Sequence, residues 1–320
     1  MLCSALGIGC LFSMGVALKP ADYQFGQVLG THNAPGWASA YAAMAPSAIE
    51  TDTGYRLWVN SKSRDGEPWH IGWVDLDRRF RVVGHSDGPV LALAAHQPTV
   101  VRGLAFPEIV DAGNGVLHMY YIEFEQPPEN STEPFYGGPH LAISTDGGTT
   151  WDEHDAFNIA KHADVSQNGS MSVLRDRDGW QMWYSALLSY YVQDGRWNSV
   201  VDIRYAESED GITWTQSASN VAIASFDGFD KVAKPSVVKT NEGYRLFFCA
   251  SSQGTPYQMF EAQSRTPTGF HVVREIKRPS DPWCSEMICY PNVLKQRGRL
   301  LVFFSGNGFG RDGCGVIIIR

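Results

Sequence analysis

Short apolar runs, each closed by a Gly or Asn/Asp turn and followed by a run dense in aromatics, recur along this chain. The copies read APSAIETDTGYRLWVNS from Ala45, FPEIVDAGNGVLHMYYI from Phe106, SMSVLRDRDGWQMWYSA from Ser170, KPSVVKTNEGYRLFFCA from Lys234 and YPNVLKQRGRLLVFFSG from Tyr290. Their anchor residues, Pro46, Pro107, Met171, Pro235 and Pro291, are spaced by 61, 64, 64 and 56 positions. Each copy predicts a β-hairpin: an apolar strand, a tight turn, then an aromatic strand. A third strand follows in every copy: WHIGWVDLD, HLAISTD, VDIRYAESED, YQMFEAQS and GVIIIR. A fourth, RRFRVVG, TTWDEHD, ITWTQSA or GFHVVRE, follows in the first four.

Four antiparallel strands repeated five times predict an all-β chain folded as a five-bladed β-propeller. A single four-stranded sheet with two apolar faces cannot bury both. Stacked between neighbours, it buries each. The fifth copy ends at Arg320 without a fourth strand, which would leave an open edge. YQFGQVL, residues 23–29, precedes the first copy as the other fourth strands precede theirs, and is expected to close the ring on GVIIIR. Residues 5–12 are the less favoured donor. On this reading residues 1–21 form an N-terminal extension and 22–320 one domain.

Composition narrows the class. Net charge is −8 and no Lys/Arg cluster occurs, so no nucleic-acid partner is expected. The six cysteines form no CxxC pair and are too sparse for a disulfide scaffold, so they are expected to be buried thiols. His70, His118, His140 and His162 lack metal-ligand spacing, so neither metal nor cofactor is expected. Residues 2–18 are mostly apolar but have no basic residue ahead of them and are short for a membrane span. The expectation is a cytoplasmic protein with no membrane span, the alternative an exported one with residues 1–20 as signal peptide.

Two turns carry a further pattern. STDGGTTW, 144–151, fits S-x-D-x-G-x-T-W, and SEDGITW, 208–214, is one residue shorter. Here the Asp side chain binds neighbouring backbone N–H groups and the Trp wedges between sheets, a structural role well away from the channel.

The layout, the SEDGITW turn, the KPSVV…YRLFF copy and the closing SEMICYP…SGNGFGRDGCGVI together resemble the five-bladed glycosidase-like propellers. That superfamily includes arabinanases and β-xylosidases, invertases and levansucrases, and mannoside phosphorylases. The resemblance covers about residues 22–320 and is strongest to a branch labelled glycosyl hydrolase-like. It implies carbohydrate chemistry in a central pocket. In those enzymes an Asp directly before the first-blade Pro acts as base or nucleophile. Here that position is Ala45, and its counterparts are Phe106, Ser170, Lys234 and Tyr290. No carboxylate precedes any anchor, so the hydrolase triad does not carry over by position.

Candidate chemistry clusters around the start of each first strand, which in a propeller lines the central channel. Glu286, Asp230 and Arg102 all lie five residues ahead of their anchors, Asp164 lies seven ahead of Met171, and Glu108 follows Pro107. Two carboxylates facing each other across a channel are what glycoside cleavage requires. Glu286, expected to be partly buried beside Trp283 and Met287, is the candidate proton donor, and Asp230, beside Lys231 and Lys234, the base. Arg102 and Lys234 could bind a carboxylate or phosphate on a ligand, and Tyr290, Trp283, Asp164 and Glu108 complete the candidate binding set. The leading expectation is a carbohydrate-active enzyme of glycoside hydrolase-like type with a saccharide or other small-molecule substrate. The alternatives are a propeller recruited to cyclisation, elimination or rearrangement, with Glu286 as proton donor, and a non-catalytic glycan-binding protein.

Overall fold

The computed structural model describes residues 23–91, 101–125, 136–216 and 220–320. Apart from the 3-10 turn Gly36–Ala38 and the short helical turn Asn307–Gly310, its regular structure is β. Strand β1 is Gln24–Leu29. The first repeat supplies β2 (Tyr41–Glu50), β3 (Gly54–Lys62), β4 (His70–Asp77) and β5 (Val82–His85). The second supplies β6 (Val101–Gly113), β7 (Val116–Glu125), β8 (Tyr136–Ser144) and β9 (Asp152–Glu153), with β10 (Asn158–Ile159) after it. The third supplies β11 (Gln167–Asp176), β12 (Gly179–Gln193), β13 (Arg196–Ser208), β14 (Thr213–Trp214) and β15 (Val221–Ile223). The fourth supplies β16 (Lys231–Thr240), β17 (Gly243–Ser251), β18 (Gln258–Ser264) and β19 (His271–Ile276), and the fifth β20 (Cys289–Gln296), β21 (Arg299–Ser305) and β22 (Cys314–Ile319).

Within each repeat the first three strands pair antiparallel in chain order, as the hairpin signals predict. The turns require their glycines. A Cβ on Gly54 would stand 1.8 Å from the Leu76 carbonyl oxygen, and one on Gly243, at the equivalent place, 2.3 Å from that of Ser264. The predicted closure is present: β1 pairs antiparallel with β22, Gln24 opposite Ile318 and Phe25 opposite Ile317, giving the last sheet its fourth strand.

The first strands form a closed cycle of neighbours, β2 to β6 to β11 to β16 to β20 and back to β2. Apolar clusters fill the wedges between successive sheets. One joins Leu57 and Val74 to Leu301, Phe303 and Val316; another joins Tyr120 and Leu141 to Met182 and Tyr184. This explains why the second strands are apolar on both faces: β21 reads RLLVFFS, and all but Arg299 are buried. Each such Leu, Val or Phe contributes roughly 1.5–3 kcal/mol through burial.

A cyclic set of hydrogen bonds ties the first strands together. The residue after each anchor accepts the backbone N–H two positions past the next anchor. Ser47 accepts from Ile109 (2.9 Å), Glu108 from Val173 (3.2 Å), Ser172 from Val237 (3.0 Å), Ser236 from Val293 (2.8 Å) and Asn292 from Ala48 (2.9 Å).

The third repeat departs from expectation. Of ITWTQSA, Thr213–Trp214 form β14, which pairs in parallel with β10, Thr215 makes a single antiparallel bridge to Glu207 of β13, and β15 also pairs with β13. Trp214 is thereby drawn into the wedge cluster between the second and third sheets. The β12–β13 hairpin also runs on to Gln193 and Arg196, beyond the length of its counterparts, and a bridge between Val201 and Lys231 joins the third and fourth sheets.

The Asp-type turns behave as read. Asp146 accepts the N–H groups of Thr149 and Thr150, both at 3.0 Å, and these bonds hold its carboxyl well below the usual range. Trp151 is buried edge-on to Trp58 at 6.1 Å, between the first and second sheets. Cys249, Cys284, Cys289 and Cys314 are free and buried. Among the described residues no helix is long and apolar enough to cross a membrane. The N-terminal extension lies outside the described residues.

Candidate active site

The register of every first strand breaks at its anchor: between Met44 and Ser47, Ala105 and Glu108, Asn168 and Met171, Ala233 and Ser236, and Cys289 and Asn292. These are bulges, which bend a strand and re-aim a side chain. At four of them the residue before the proline has a left-handed backbone: Ala45 (φ 47°), Phe106 (56°), Lys234 (51°) and Tyr290 (54°). Proline disfavours the right-handed helical region for the residue before it, and the left-handed alternative is strained for residues other than glycine. Side chains of the preceding repeat hold these backbones in place. The N–H of Ala45 donates to Ser305 Oγ (2.9 Å), that of Phe106 to Asn60 Oδ1 (3.1 Å) and that of Lys234 to Ser185 Oγ (2.9 Å).

Four of the five pre-anchor residues, Phe106, Ser170, Lys234 and Tyr290, line one cavity of about 360 Å³ at the end of the channel. That volume is in the range of small-molecule sites. A larger depression of about 850 Å³ is built from hairpin-turn residues such as Asn241 and Glu242 and shares no lining residue with this cavity. We place the candidate site at the channel end because four repeats converge there.

One wall is aromatic. Tyr290 meets Phe106 edge-on at 5.1 Å and stacks with Phe309 at 5.9 Å, and Tyr257 packs 5.9 Å from Tyr290. Phe309 is 41% exposed and left-handed (φ 62°), in the turn Asn307–Gly310. Asn307 secures that turn, donating from Nδ2 to the Pro282 carbonyl (2.6 Å) and accepting at Oδ1 from the N–H of Glu286 (2.9 Å) and Met287 (3.2 Å). The Tyr41 hydroxyl donates to the Gly308 carbonyl. Polar groups on the other walls include Asn168, Ser185, Ser199 and Lys231.

Beneath the cavity Lys234 and Glu108 form a buried ion pair, Nζ to Oε2 3.9 Å, with side-chain exposures of 1% and 6%. Burial pushes the Glu108 carboxyl up and the Lys234 ammonium down, each opposed by the other's charge. Glu108 also accepts from the Val173 N–H and from Asn292 Nδ2 (3.4 Å), whereas Lys234 Nζ makes no hydrogen bond. Burial also lowers the Lys231 ammonium against the raising influence of Asp230.

The structure brings Lys234 and Tyr290 of the predicted set together in the cavity, with Glu108 below them. The expected burial of Glu286 is corrected: it is exposed and lies outside the cavity lining, on the segment before β20, which begins only at Cys289. Asp230 is half-buried just before β16, accepts from the Tyr191 hydroxyl, and also lies outside the lining. That bond pushes the Tyr191 phenol up to about 12. Trp283 stacks on Phe304 at 5.4 Å, away from the cavity. Asp164 is 63% exposed and forms a paired salt bridge with Arg204 (2.6 and 2.9 Å), which holds its carboxyl below the usual range. Arg102 falls on β6, and its side chain lies outside those described. Burial pushes the Cys249 thiol up to about 12 and raises that of Cys289, which leaves both poor nucleophiles. Among the described residues no group of three or more His, Cys, Asp or Glu could hold a metal ion.

Residue-by-residue reading of the sequence missed Phe106, Tyr257, Phe309 and Lys231. The signal for Phe106 was present in its place directly before an anchor proline. The other three come from strand ends and a turn, whose approach to the axis only the assembled sheets define.

No protein-family model matches the chain. An uncharacterized protein of Mycobacterium tuberculosis (strain ATCC 25618 / H37Rv) is 27% identical over 312 residues, covering 93% of this chain and 98% of that protein. Among solved structures, a glycosyl hydrolase from Bacteroides ovatus superposes with a TM-score of 0.69 at 14% identity, covering 96% of this chain and 94% of that one. A β-1,2-mannobiose phosphorylase from Listeria innocua does so with a TM-score of 0.66 at 11% identity, covering 92% and 94%. The chain therefore shares its fold with glycosidase-like propeller enzymes.

Proposed function

We propose that residues 22–320 form a single five-bladed propeller of carbohydrate-active, glycosidase-like type, and that its channel-end cavity takes a saccharide or glycoconjugate. One observation carries this reading: four pre-anchor side chains converge on one cavity, at the repeat position where the glycosidase-like enzymes carry their first-blade catalytic Asp. The aromatic wall of Tyr290, Phe106 and Phe309 offers a face to the apolar side of a sugar ring, while Asn168, Ser185 and Ser199 offer hydrogen-bond partners to hydroxyls.

For proton transfer we assign the two rim carboxylates. Asp230 adjoins Lys231 and is bonded to Tyr191, next to the lining residue Tyr190. Glu286 is fastened through its backbone to Asn307, two residues before the lining residue Phe309. A ligand that fills the cavity and extends over the rim lies between these two segments. The test is turnover of a panel of aryl glycosides by the protein and by its Glu286→Gln and Asp230→Asn variants. General acid–base roles predict losses of roughly 10²–10⁴-fold; undiminished turnover in both variants removes the assignment.

A second reading is a non-hydrolytic reaction of a biosynthetic intermediate in the same cavity. It is favoured by Ala45, Phe106, Ser170, Lys234 and Tyr290 at the five pre-anchor positions, where no carboxylate stands. Saccharide binding without release of reducing sugar from any glycoside would select it.

A further inference from the structure

We infer that the cavity is the first of two saccharide subsites and that Trp197, on the extended β12–β13 hairpin, forms the second, so that the ligand is an oligosaccharide of at least two units; this rests on the saccharide reading above. Strands β12 and β13 run 15 and 13 residues, where their fourth-repeat counterparts β17 and β18 run 9 and 7. The extra length lies at the cavity end: Ser185, Leu187 and Tyr190 of β12 line the cavity, and the strand continues to Gln193.

The register fixes which residues the extension carries outward. Leu187 stands opposite Val201, Tyr190 opposite Ser199, and Val192 opposite Trp197. Directly opposed residues share a face, as do residues two apart on one strand. The first two pairs line the cavity. The third continues the same face one step further, about 7 Å along β13. There the apolar surface is open: Val192 is 56% and Trp197 49% exposed. Single exposed hydrophobics are ordinary, whereas an opposed pair that prolongs a cavity wall is a surface for a ligand. The hairpin is also held in place. Trp197 meets Tyr190 edge-on at 6.3 Å, the Tyr191 hydroxyl donates to Asp230, and Gln253 Nε2 donates to Asp194 Oδ2 at the hairpin turn (3.1 Å). A pyranose lays its C–H groups on one face of an indole and keeps its hydroxyls in water, which a half-exposed platform allows. The occupant that reaches both places is a second sugar unit linked to the one in the cavity.

The experiment is calorimetric titration of the full chain with matched series: glucose, galactose, mannose and xylose, their nitrophenyl glycosides, and their β-linked di- and tetrasaccharides. In at least one series the disaccharide is expected to bind about tenfold or more tightly than the monosaccharide. Trp197→Ala is expected to bring that ratio close to one, and Trp197→Phe to keep part of it. The side chain is half-exposed, so neither substitution threatens folding. Equal affinities along every series that binds, or a ratio that survives Trp197→Ala, would overturn the inference and leave the saccharide reading standing. So would a nitrophenyl glycoside that gains as much from Trp197 as the disaccharide does, because the platform would then read an apolar aglycone. No binding in any series would remove both.

Discussion

Two layers of the channel, one step apart in the same repeat, are built to opposite rules. The lower layer is the residue after each anchor: Ser47, Glu108, Ser172, Ser236 and Asn292. Despite their different chemistry all five do one job, accepting the N–H of the next first strand at 2.8–3.2 Å. The upper layer, two residues earlier, is Ala45, Phe106, Ser170, Lys234 and Tyr290, and these share no side-chain role. What four of them share is a strained backbone that turns the side chain out of the strand's regular alternation, and in Ala45, Phe106 and Lys234 a side chain of the preceding repeat holds it. Repeats agree where the ring closes and diverge where four of them line the cavity. Glu108 and Lys234 are where the layers touch.

The sharpest way to break this comparison is to remove Glu108. Glu108→Ala strands the Lys234 ammonium and orphans the Val173 N–H together, so we expect a loss of about 3–5 kcal/mol in urea unfolding. Adding Lys234→Met should restore a large part, because the apolar pair no longer buries a lone charge. A loss below about 1 kcal/mol, or no recovery in the pair, would mean that the contact between the layers carries little energy.

The next largest effect lies outside the channel and separates the wedges from both layers. His118 is 6% exposed and stacks on Trp180 at 5.1 Å, and burial pushes its imidazole down to about 4 from the ordinary 6.5. The fold therefore favours the neutral ring, and the unfolded chain binds more protons between those values. The stabilisation is complete above pH 6.5 and is lost as pH falls toward 4, on the order of 3 kcal/mol at most. His118→Gln should flatten that part of the stability profile relative to the parent; parallel profiles would show that the acid limb belongs to other groups.

Smaller still are single deletions from the ring. Ser236→Ala leaves the Val293 N–H without its acceptor, and Asn292→Ala does the same to Ala48, each expected to cost about 1–3 kcal/mol in equilibrium unfolding. Tyr290→Phe in the upper layer keeps the ring stacking and should leave stability within about 0.5 kcal/mol. If the ring deletions prove as mild as that, the lower layer is not what holds the first strands in register.

These contrasts also mark what could be read from the chain alone. The hairpins, the even spacing of the anchors and the pairing of residues 23–29 with GVIIIR follow from periodicity and turn residues, which are local. The upper layer does not follow, because a bulge breaks the two-residue alternation that strand reading relies on. Counting five residues back from each anchor selected Asp230 and Glu286. Strand β16 begins at Lys231 and β20 at Cys289, so both positions fall on the segments that lead into these strands and outside the cavity lining. Phe309 and Tyr257 reach the cavity from a left-handed turn and a strand approach, and nothing in their neighbours' periodicity announces that. Trp214 pairs with Ile159 of β10 rather than with β13, and its ring is buried in the wedge between the second and third sheets.

Ala45 gives the finest test of the comparison. It is the one pre-anchor residue that does not line the cavity, yet it keeps the left-handed backbone (φ 47°) and the hydrogen bond to Ser305. Strain with no ligand to serve should be removable. Glycine adopts this conformation freely, and relief of a left-handed alanine is worth about 1–2 kcal/mol. Against this stand a buried methyl, about 0.8 kcal/mol, and the greater entropy of glycine in the unfolded chain, about 0.4–1 kcal/mol. These nearly cancel, so Ala45→Gly should shift unfolding by less than about 1 kcal/mol and leave ligand affinity unchanged. Tyr290→Gly, at the equivalent place, gains the same relief but loses a ring that packs on Phe106, Tyr257 and Phe309, and ligand affinity should fall with it. Equal behaviour of the two variants in ligand titration would mean that the upper layer is as uniform in role as the lower one, and that the difference between the layers is only one of composition.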